Sequence, residues 1–255
     1  MIITDLTTHP HIAVITIDRP EKYNAMTPDM ALQLIDAVTA IDADDNIRVV
    51  ILTGTGEKAF CCGSDIETLD DYATPWEFRN RADYCDALRG MRKPIIAAVN
   101  GYVLGGGLEL SLICDIRIAA ANAKFGAPEI KLGWVGGGGV AAFLLNSVGQ
   151  SNAATMIFTG DPITAEKALA WGLVSEVGEP DDLMAKALEM AATIAQRAPI
   201  AAQCGKANLR AAQSMPLEDA IRYERDLQAI CMGTEDATEG RTAFTEKRPA
   251  KFVGR

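Results

Sequence analysis

Hydrophobic and polar positions follow two different periods near the start of the chain. From His11 to Ile17 the period is two and most residues are β-branched, which predicts a strand. Thr27 followed by Pro28 has the residue types of a helix N-cap and first helical position, and apolar side chains then recur at helical spacing as far as Ile41. A strand followed by a helix is the first unit of an α/β pattern.

Two later segments, Arg48–Thr53 and Ile95–Val99, are almost continuously apolar, which is typical of strands covered on both faces. Further short strands are predicted at 115–119 and 124–126, and helices at 75–91, 108–114, 165–171, 181–197 and 200–212, with Pro216 and Thr234 opening two more. Because strands give way to helices near residue 180, we predict an α/β core over residues 1–180 and a helical region over residues 181–255.

The composition is that of an ordinary globular protein, with 255 residues, 49% of them hydrophobic and 23% charged. A net charge of -10 repels nucleic-acid phosphates and anionic lipids. No apolar stretch reaches the roughly 18 residues of a membrane span, and the amino terminus lacks the features of a signal peptide. We therefore expect a cytoplasmic protein that binds neither nucleic acid nor membranes.

Several common kinds of chemistry lack their residues. The two histidines, His9 and His11, precede every recognisable motif, which argues against a histidine-based catalytic triad. The six cysteines form no C-x-x-C pair, so we predict neither a metal site nor a disulfide framework. The glycine motifs at 54–59 and 137–142 match the dinucleotide pattern G-x-G-x-x-A, but neither has the strand and helix context of a first βαβ unit, so a dehydrogenase is disfavoured.

The most informative segment runs from Lys93 to Leu110. Three glycines, Gly105 to Gly107, stand at the start of a predicted helix, where backbone N–H groups are free and the helix dipole is positive. This arrangement predicts an anion-binding site. Glu109 lies in the first turn of the same helix, and the structural alternative is that it only favours the dipole and faces water.

A second carboxylate, Glu129, follows Pro128 at a distance of 20 residues from Glu109, enough chain for a strand to return past the same site. Two glutamates beside one anion site can divide acid and base roles. The structural alternative is an ordinary acidic residue at a helix start. The loop from Ala59 to Ile66 is a candidate for a second backbone N–H donor, with a surface turn as its alternative.

These segments together resemble the crotonase superfamily, the enoyl-CoA hydratases and isomerases, over nearly the whole chain. The resemblance is carried, in the family's order, by residues 19–26, 59–66, 93–115, 125–133, 169–174 and 241–249. It implies an α/β fold with a crotonase-like ββα spiral core and a C-terminal helical trimerisation region. It also implies an acyl-CoA thioester substrate, no cofactor apart from the CoA of that substrate, no metal, and a homotrimer or homohexamer.

The resemblance further implies a role for each matching residue. The backbone N–H groups of Ser64 and Gly106 would polarise the thioester carbonyl, Glu109 would help to activate a water, and Glu129 would protonate the α-carbon. Gly137 would contact the same water through its N–H group. The residues implied in substrate binding are Lys22, Ala25, Cys62, Ser64, Ile66, Gly106 and Trp134.

One segment departs from the family pattern. Where hydratases usually read Gly-x-x-Pro-Gly-x-Gly-Gly-Thr-Gln-Arg, the segment Gly133 to Phe143 lacks the proline, the glutamine and the arginine. Trp134 brings a bulky ring close to the inferred pocket. It is either a core residue or a residue that shapes an unusual acyl site.

The sequence therefore predicts an enoyl-CoA hydratase, a hydro-lyase that adds water across the 2,3 double bond of an acyl-CoA. The alternatives within the fold are a Δ3,Δ2-enoyl-CoA isomerase or another enolate reaction, since fold alone does not fix the reaction. An alternative from a different class is a non-catalytic acyl-CoA binder or an RNA-binding relative. The acidic charge argues against RNA, and the paired glutamates argue against lost catalysis.

Overall fold

A computed structural model describes all 255 residues. The strands are β1 (Ile2–Asp5), β2 (Ile12–Ile17), β3 (Val49–Gly54), β4 (Ala59–Cys61), β5 (Ile95–Val99), β6 (Tyr102–Leu104), β7 (Ile116–Ala120), β8 (Lys124–Gly126), β9 (Ile163–Thr164) and β10 (Glu176–Gly178). The helices are α1 (Pro28–Ala43), α2 (Pro75–Arg79), α3 (Tyr84–Gly90), α4 (Gly106–Ile113), α5 (Val140–Thr159), α6 (Ala165–Ala170), α7 (Leu183–Ala195), α8 (Pro199–Ala212), α9 (Leu217–Met232) and α10 (Glu235–Glu246).

The strands form two sheets through which the chain winds in a spiral. The first sheet has the order β1-β2-β3-β5-β7-β10 and is parallel except for β1, and the second has the order β4-β6-β8-β9. The pairs β3–β4, β5–β6 and β7–β8 each place one strand in each sheet. Helices α3, α4 and α5 follow these pairs in turn. This arrangement confirms the predicted α/β fold with a ββα spiral core.

The first sheet is covered on both faces, as the continuous apolar runs predict. In β3, Val50 and Leu52 belong to the large core shared with α1, α3 and α4, whereas Val49 and Ile51 belong to a second core. Helix α7 covers that second core with residues spaced four apart, from Leu183 through Ala187 to Ala191. The boundary at residue 180 remains a prediction, and α7 packs on the sheet that precedes that boundary.

The single helix predicted over residues 75–91 is wrong, because the segment contains two short helices. Asn80 ends α2 as its C-cap, and the Asp83 carboxylate accepts the N–H of Cys85 at the start of α3. Both are residue types that favour helix ends. The segment from Ala59 to Ile66, expected above to be a loop, begins with the short strand β4, and a 3-10 helix follows at Ile66–Asp71. The glycine motif at 54–59 therefore leads into a strand rather than a helix.

The chain after β10 is helical, as predicted. Lys206 fixes α8 to the core, because its buried ammonium donates to the Asp115 carboxylate at 2.7 Å and to the Lys93 carbonyl at 2.8 Å. Helix α9, in contrast, has no buried residue in the single chain. None of the helices combines the length and the apolar character needed to cross a membrane.

Candidate active site

The loop that carries Ser64 is fixed to the segment before α1. The N–H of Met26 donates to the Gly63 carbonyl and the N–H of Asp65 donates to the Met26 carbonyl, both at 2.8 Å. Arg19 secures the same loop through an ion pair of 2.7 Å with the Asp65 carboxylate. The bonds on either side leave the N–H of Ser64 without a protein acceptor.

The start of α4 lies against this loop. Gly106 is the first residue of the helix, so its N–H has no partner within the helix, and no other protein group accepts it. Gly63 has a φ of 87°, and a methyl group there would lie 2.8 Å from the Gly106 nitrogen. The free N–H groups of Ser64 and Gly106 are therefore neighbours, at the positive end of the α4 dipole.

Glu109 is buried beside this helix start, with 5% of its surface exposed. One carboxylate oxygen accepts the N–H of Gly138 at 2.7 Å and that of Val140 at 3.3 Å. Burial raises the pKa of Glu109, the Glu129 charge adds to the rise, and the two backbone hydrogen bonds oppose it. The alternative of a solvent-facing residue that only favours the helix dipole is wrong.

Glu129 also lies close to the start of α4. It lies in the 3-10 helix Pro128–Leu132 and is 8% exposed, and a methyl group on Gly105 would be 3.4 Å from its Oε1 atom. Its Oε2 atom is buried and makes no hydrogen bond within the protein. Burial raises the pKa of this carboxyl. An unpartnered oxygen of this kind has full capacity to bind a water or a substrate group.

The residues that the resemblance implies in CoA binding lie on two adjoining segments. The N–H of Cys62 donates to the Tyr23 carbonyl at 3.2 Å, which joins the segment of Lys22 and Ala25 to the loop of Ser64 and Ile66. Lys22 is exposed, but it is not a free cation, because its ammonium lies 2.9 Å from the Glu67 carboxylate. Binding a phosphate there requires exchange of this partner.

The glycine-rich segment before α5 lies against Glu109. Gly138 and Val140 bind Glu109 through their N–H groups, as described above, while a methyl group on Gly137 would meet no atom within 4 Å. The backbone N–H of Trp134 donates to the Glu129 carbonyl at 3.2 Å, and 42% of the residue's surface is exposed. Trp134 is therefore not a core residue, and its effect on the acyl group stays a prediction.

Sequence reasoning missed Tyr84 and the two N–H donors to Glu109. Tyr84 is buried at the start of α3, and its hydroxyl oxygen lies 3.0 Å from Ser64 Oγ. A tyrosine at an apolar position of a predicted helix carries no signal for such a contact. Gly138 and Val140 belong to the glycine-rich segment, but only the fold brings that segment to Glu109.

Comparisons with known proteins show which family the chain resembles in sequence and fold. The sequence profile described as enoyl-CoA hydratase/isomerase matches residues 7–255. The chain is 38% identical to the crotonyl-CoA hydratase of Syntrophomonas wolfei, covering 96% of this chain and 95% of that protein. It is 40% identical to the (E)-benzylidenesuccinyl-CoA hydratase of Thauera aromatica, with 96% of each chain covered. The crystal structure of an enoyl-CoA hydratase from Bacillus anthracis superimposes with a TM-score of 0.93 at 35% identity, over 100% of this chain and 99% of the other.

Proposed function

The chain belongs to the enoyl-CoA hydratase/isomerase family, as its motifs predict, and we propose that it adds water across the 2,3 double bond of an enoyl-CoA thioester. Relatives named as hydratases at 38 to 40% identity over nearly the whole chain support this activity. The observation that carries the proposal is the position of two buried carboxylates, Glu109 and Glu129, beside two free backbone N–H groups. One buried oxygen, Glu129 Oε2, has no protein partner.

The proposed oxyanion site consists of the N–H groups of Ser64 and Gly106. Attack of water at the β-carbon moves the double-bond electrons toward the thioester and places negative charge on its oxygen. Fixed donors at that oxygen stabilise the charge, and each is worth roughly 3 kcal/mol in comparable oxyanion sites. Both N–H groups are free of protein acceptors, so no internal hydrogen bond has to break when substrate binds.

We propose that the two glutamates move the protons. Glu109, held in place by the N–H groups of Gly138 and Val140, accepts a proton from water while the water oxygen bonds to the β-carbon. Glu129 donates a proton to the α-carbon, which collapses the enolate to the saturated thioester. The proton held by Glu109 then passes to Glu129 through the next water, so one water is consumed and both carboxyls return to their starting states. The N–H of Gly137 is proposed to contact that water.

The proposed substrate-binding residues are those of the two adjoining segments, together with Trp134. Lys22 exchanges Glu67 for a CoA phosphate, and Ala25, Cys62, Ser64 and Ile66 line the path of the CoA chain. Since hydration changes no net oxidation state and the two N–H groups stabilise the charge on the thioester oxygen, the proposed reaction requires neither a redox cofactor nor a metal.

We propose that the helices of residues 181–255 mediate assembly into a trimer or a hexamer. Helix α7 covers the chain's own sheet, so the surface for contact lies on α8 to α10. Large apolar side chains are exposed there, including Phe244 at 86%, and α9 buries no residue of its own. Exposed apolar surface of this extent is typical of protein interfaces.

The test is the loss of the enoyl-thioester absorbance of crotonyl-CoA in the presence of the parent, Glu109→Gln and Glu129→Gln. We expect decay with the parent and almost none with either variant. Glu166→Gln, on the exposed face of α6, is the matched control and should behave as the parent. If the parent binds CoA thioesters tightly but does not hydrate crotonyl-CoA, the proposal is wrong and isomerisation or another enolate reaction replaces it.

A further inference from the structure

The hydroxyl group of Tyr84 lies in the active site at a fixed position. Tyr84 is the first residue of α3, and it is 7% exposed. The Asp83 carboxylate accepts the N–H of Cys85 at 2.8 Å and also pairs with Arg81 at 3.0 Å, which fixes the start of the helix. Helix α3 packs against α1 and α4, which fixes the helix that carries Tyr84.

This hydroxyl lies at the same end of α4 as the free N–H groups. A methyl group on Gly106 would be only 1.9 Å from the Tyr84 oxygen and 3.3 Å from the Gly63 α-carbon. In a helix the bond from the α-carbon to the β-carbon tilts toward the amino terminus, where the unpaired N–H groups also project. The phenol oxygen is therefore adjacent to the proposed oxyanion site.

A count of protons shows that one hydroxyl donor is unused. The Tyr84 oxygen and Ser64 Oγ form one hydrogen bond of 3.0 Å, and neither hydroxyl has another protein partner. Each hydroxyl carries one proton and their mutual bond uses one of the two. Whichever group donates in that bond, one O–H remains to be donated beside the N–H groups of Ser64 and Gly106.

We propose that Tyr84 is a catalytic residue whose O–H donates to the thioester oxygen as a third hydrogen-bond donor, while the Ser64 hydroxyl donates to Tyr84. This inference rests on the proposed function, since it requires an enolate to form at the site. A hydroxyl that accepts a hydrogen bond becomes a stronger donor, so Ser64 would strengthen Tyr84. Burial raises the pKa of Tyr84 well above its ordinary value, so the phenol keeps its proton during the reaction.

The expected effect follows from the number of donors. Loss of one oxyanion donor lowers kcat by about 100-fold to 1,000-fold in enzymes with two donors. With two N–H groups retained, we expect Tyr84→Phe to lower kcat on crotonyl-CoA by about 10-fold to 100-fold and to leave KM nearly unchanged. Ser64→Ala leaves the Tyr84 proton free to donate, so kcat should fall only a few-fold in this variant.

Acetoacetyl-CoA provides a readout that does not depend on turnover. Its C2 carbon loses a proton to solvent to give an enolate that absorbs in the near ultraviolet, and donors at the thioester oxygen lower the pKa of that step. We expect Tyr84→Phe to raise the apparent pKa of the bound probe by about one unit, a tenfold change, and Ser64→Ala to raise it by less. Tyr223→Phe on α9, which removes a hydroxyl without a hydrogen bond in the chain, is the control and should not change it.

The outcomes separate this inference from the proposed function. An unchanged probe pKa in Tyr84→Phe refutes the third donor, even if kcat falls, because a merely structural role does not act on the enolate. If Tyr84→Phe does not fold, 3-fluorotyrosine at position 84 keeps the ring and makes the phenol a stronger donor, so it should lower the probe pKa, and an unchanged value refutes the third donor. If the parent does not hydrate crotonyl-CoA but Tyr84→Phe still raises the probe pKa, the donor stands and the hydratase proposal fails.

Discussion

Replacement of Glu109 by glutamine should uncouple activity from stability. The change substitutes an amide for a carboxylate of the same shape. The amide oxygen can still accept the N–H groups of Gly138 and Val140, which bind the carboxylate at 2.7 and 3.3 Å in the parent. The glycine-rich segment should therefore keep its position while the proposed base is lost.

The loss of activity can be estimated from the role assigned to the carboxylate. A positioned general base contributes about 100-fold to 10,000-fold to a rate, which corresponds to about 3 to 5 kcal/mol in activation free energy. We expect kcat on crotonyl-CoA to fall within that range and KM to change little, since no substrate contact is removed.

The stability of the variant relative to the parent should depend on pH. The pKa of Glu109 is raised above its ordinary value of 4.5 in the folded chain, so the parent binds more protons folded than unfolded between the two values. Its free energy of unfolding consequently falls as the pH rises through that interval. Glutamine does not titrate, so the stability of the variant relative to the parent should increase with pH across the same interval.

Urea unfolding of both proteins at several pH values from 4 to 8, combined with crotonyl-CoA kinetics, checks both parts. Glu166→Gln controls for the loss of one negative charge on the surface. A variant that retains more than about a tenth of the parent kcat would refute the assignment of Glu109 as the base. A stability difference that does not depend on pH would refute the reasoning about its buried charge.

Three further predictions concern packing and binding. Lys206→Met should lower the free energy of unfolding by about 3 kcal/mol in urea titrations, because it leaves the Asp115 carboxylate without its buried cation. A loss below about 1 kcal/mol would contradict the role of this ion pair in fixing α8 to the core. Gly106→Ala should be destabilised by about 1 to 3 kcal/mol and lose activity, because the added methyl collides with the buried phenol of Tyr84. An active variant that melts at the same temperature as the parent would be inconsistent with that contact. Lys22→Ala should raise KM for CoA thioesters, whereas Glu67→Gln should lower it or leave it unchanged. Equal effects of the two variants on KM would show that this exposed pair has no role in phosphate binding.

The elements that the sequence predicted best are those with a strong local signal. The strand from His11 to Ile17 and the apolar run at 95–99 match β2 and β5 because period and composition alone determine them. The two carboxylates of the site were found for a similar reason, since glycines or a proline mark their immediate neighbourhood. The break between α2 and α3 was missed although Asn80 and Asp83 carry capping signals, because the apolar spacing continues across it.

Contacts between residues that are far apart in the sequence cannot be predicted from these patterns. Glu109 accepts hydrogen bonds from residues 29 and 31 positions further along the chain, and Tyr84 contacts a serine 20 positions earlier. No local period or capping rule encodes such pairs, because they depend on how the two sheets bring separate turns of the spiral together. The pKa increases of the two glutamates arise from the same burial, so sequence reasoning identified the groups but not their environment.

The way Glu109 holds the glycine-rich segment also has an evolutionary consequence. The carboxylate binds backbone N–H groups, which nearly every amino acid supplies, so the segment can lose its family-typical side chains and still be held. Its tolerance to mutation should nevertheless differ sharply between neighbours. A methyl group would lie 2.8 Å from Glu109 at Gly136 and 2.6 Å from it at Gly138, but would meet nothing within 4 Å at Gly137. Natural variation and laboratory selection should therefore both find new acyl preferences at Gly137 and at the exposed Trp134. Gly136, which lies between them in the sequence, should stay glycine because a larger residue would collide with Glu109.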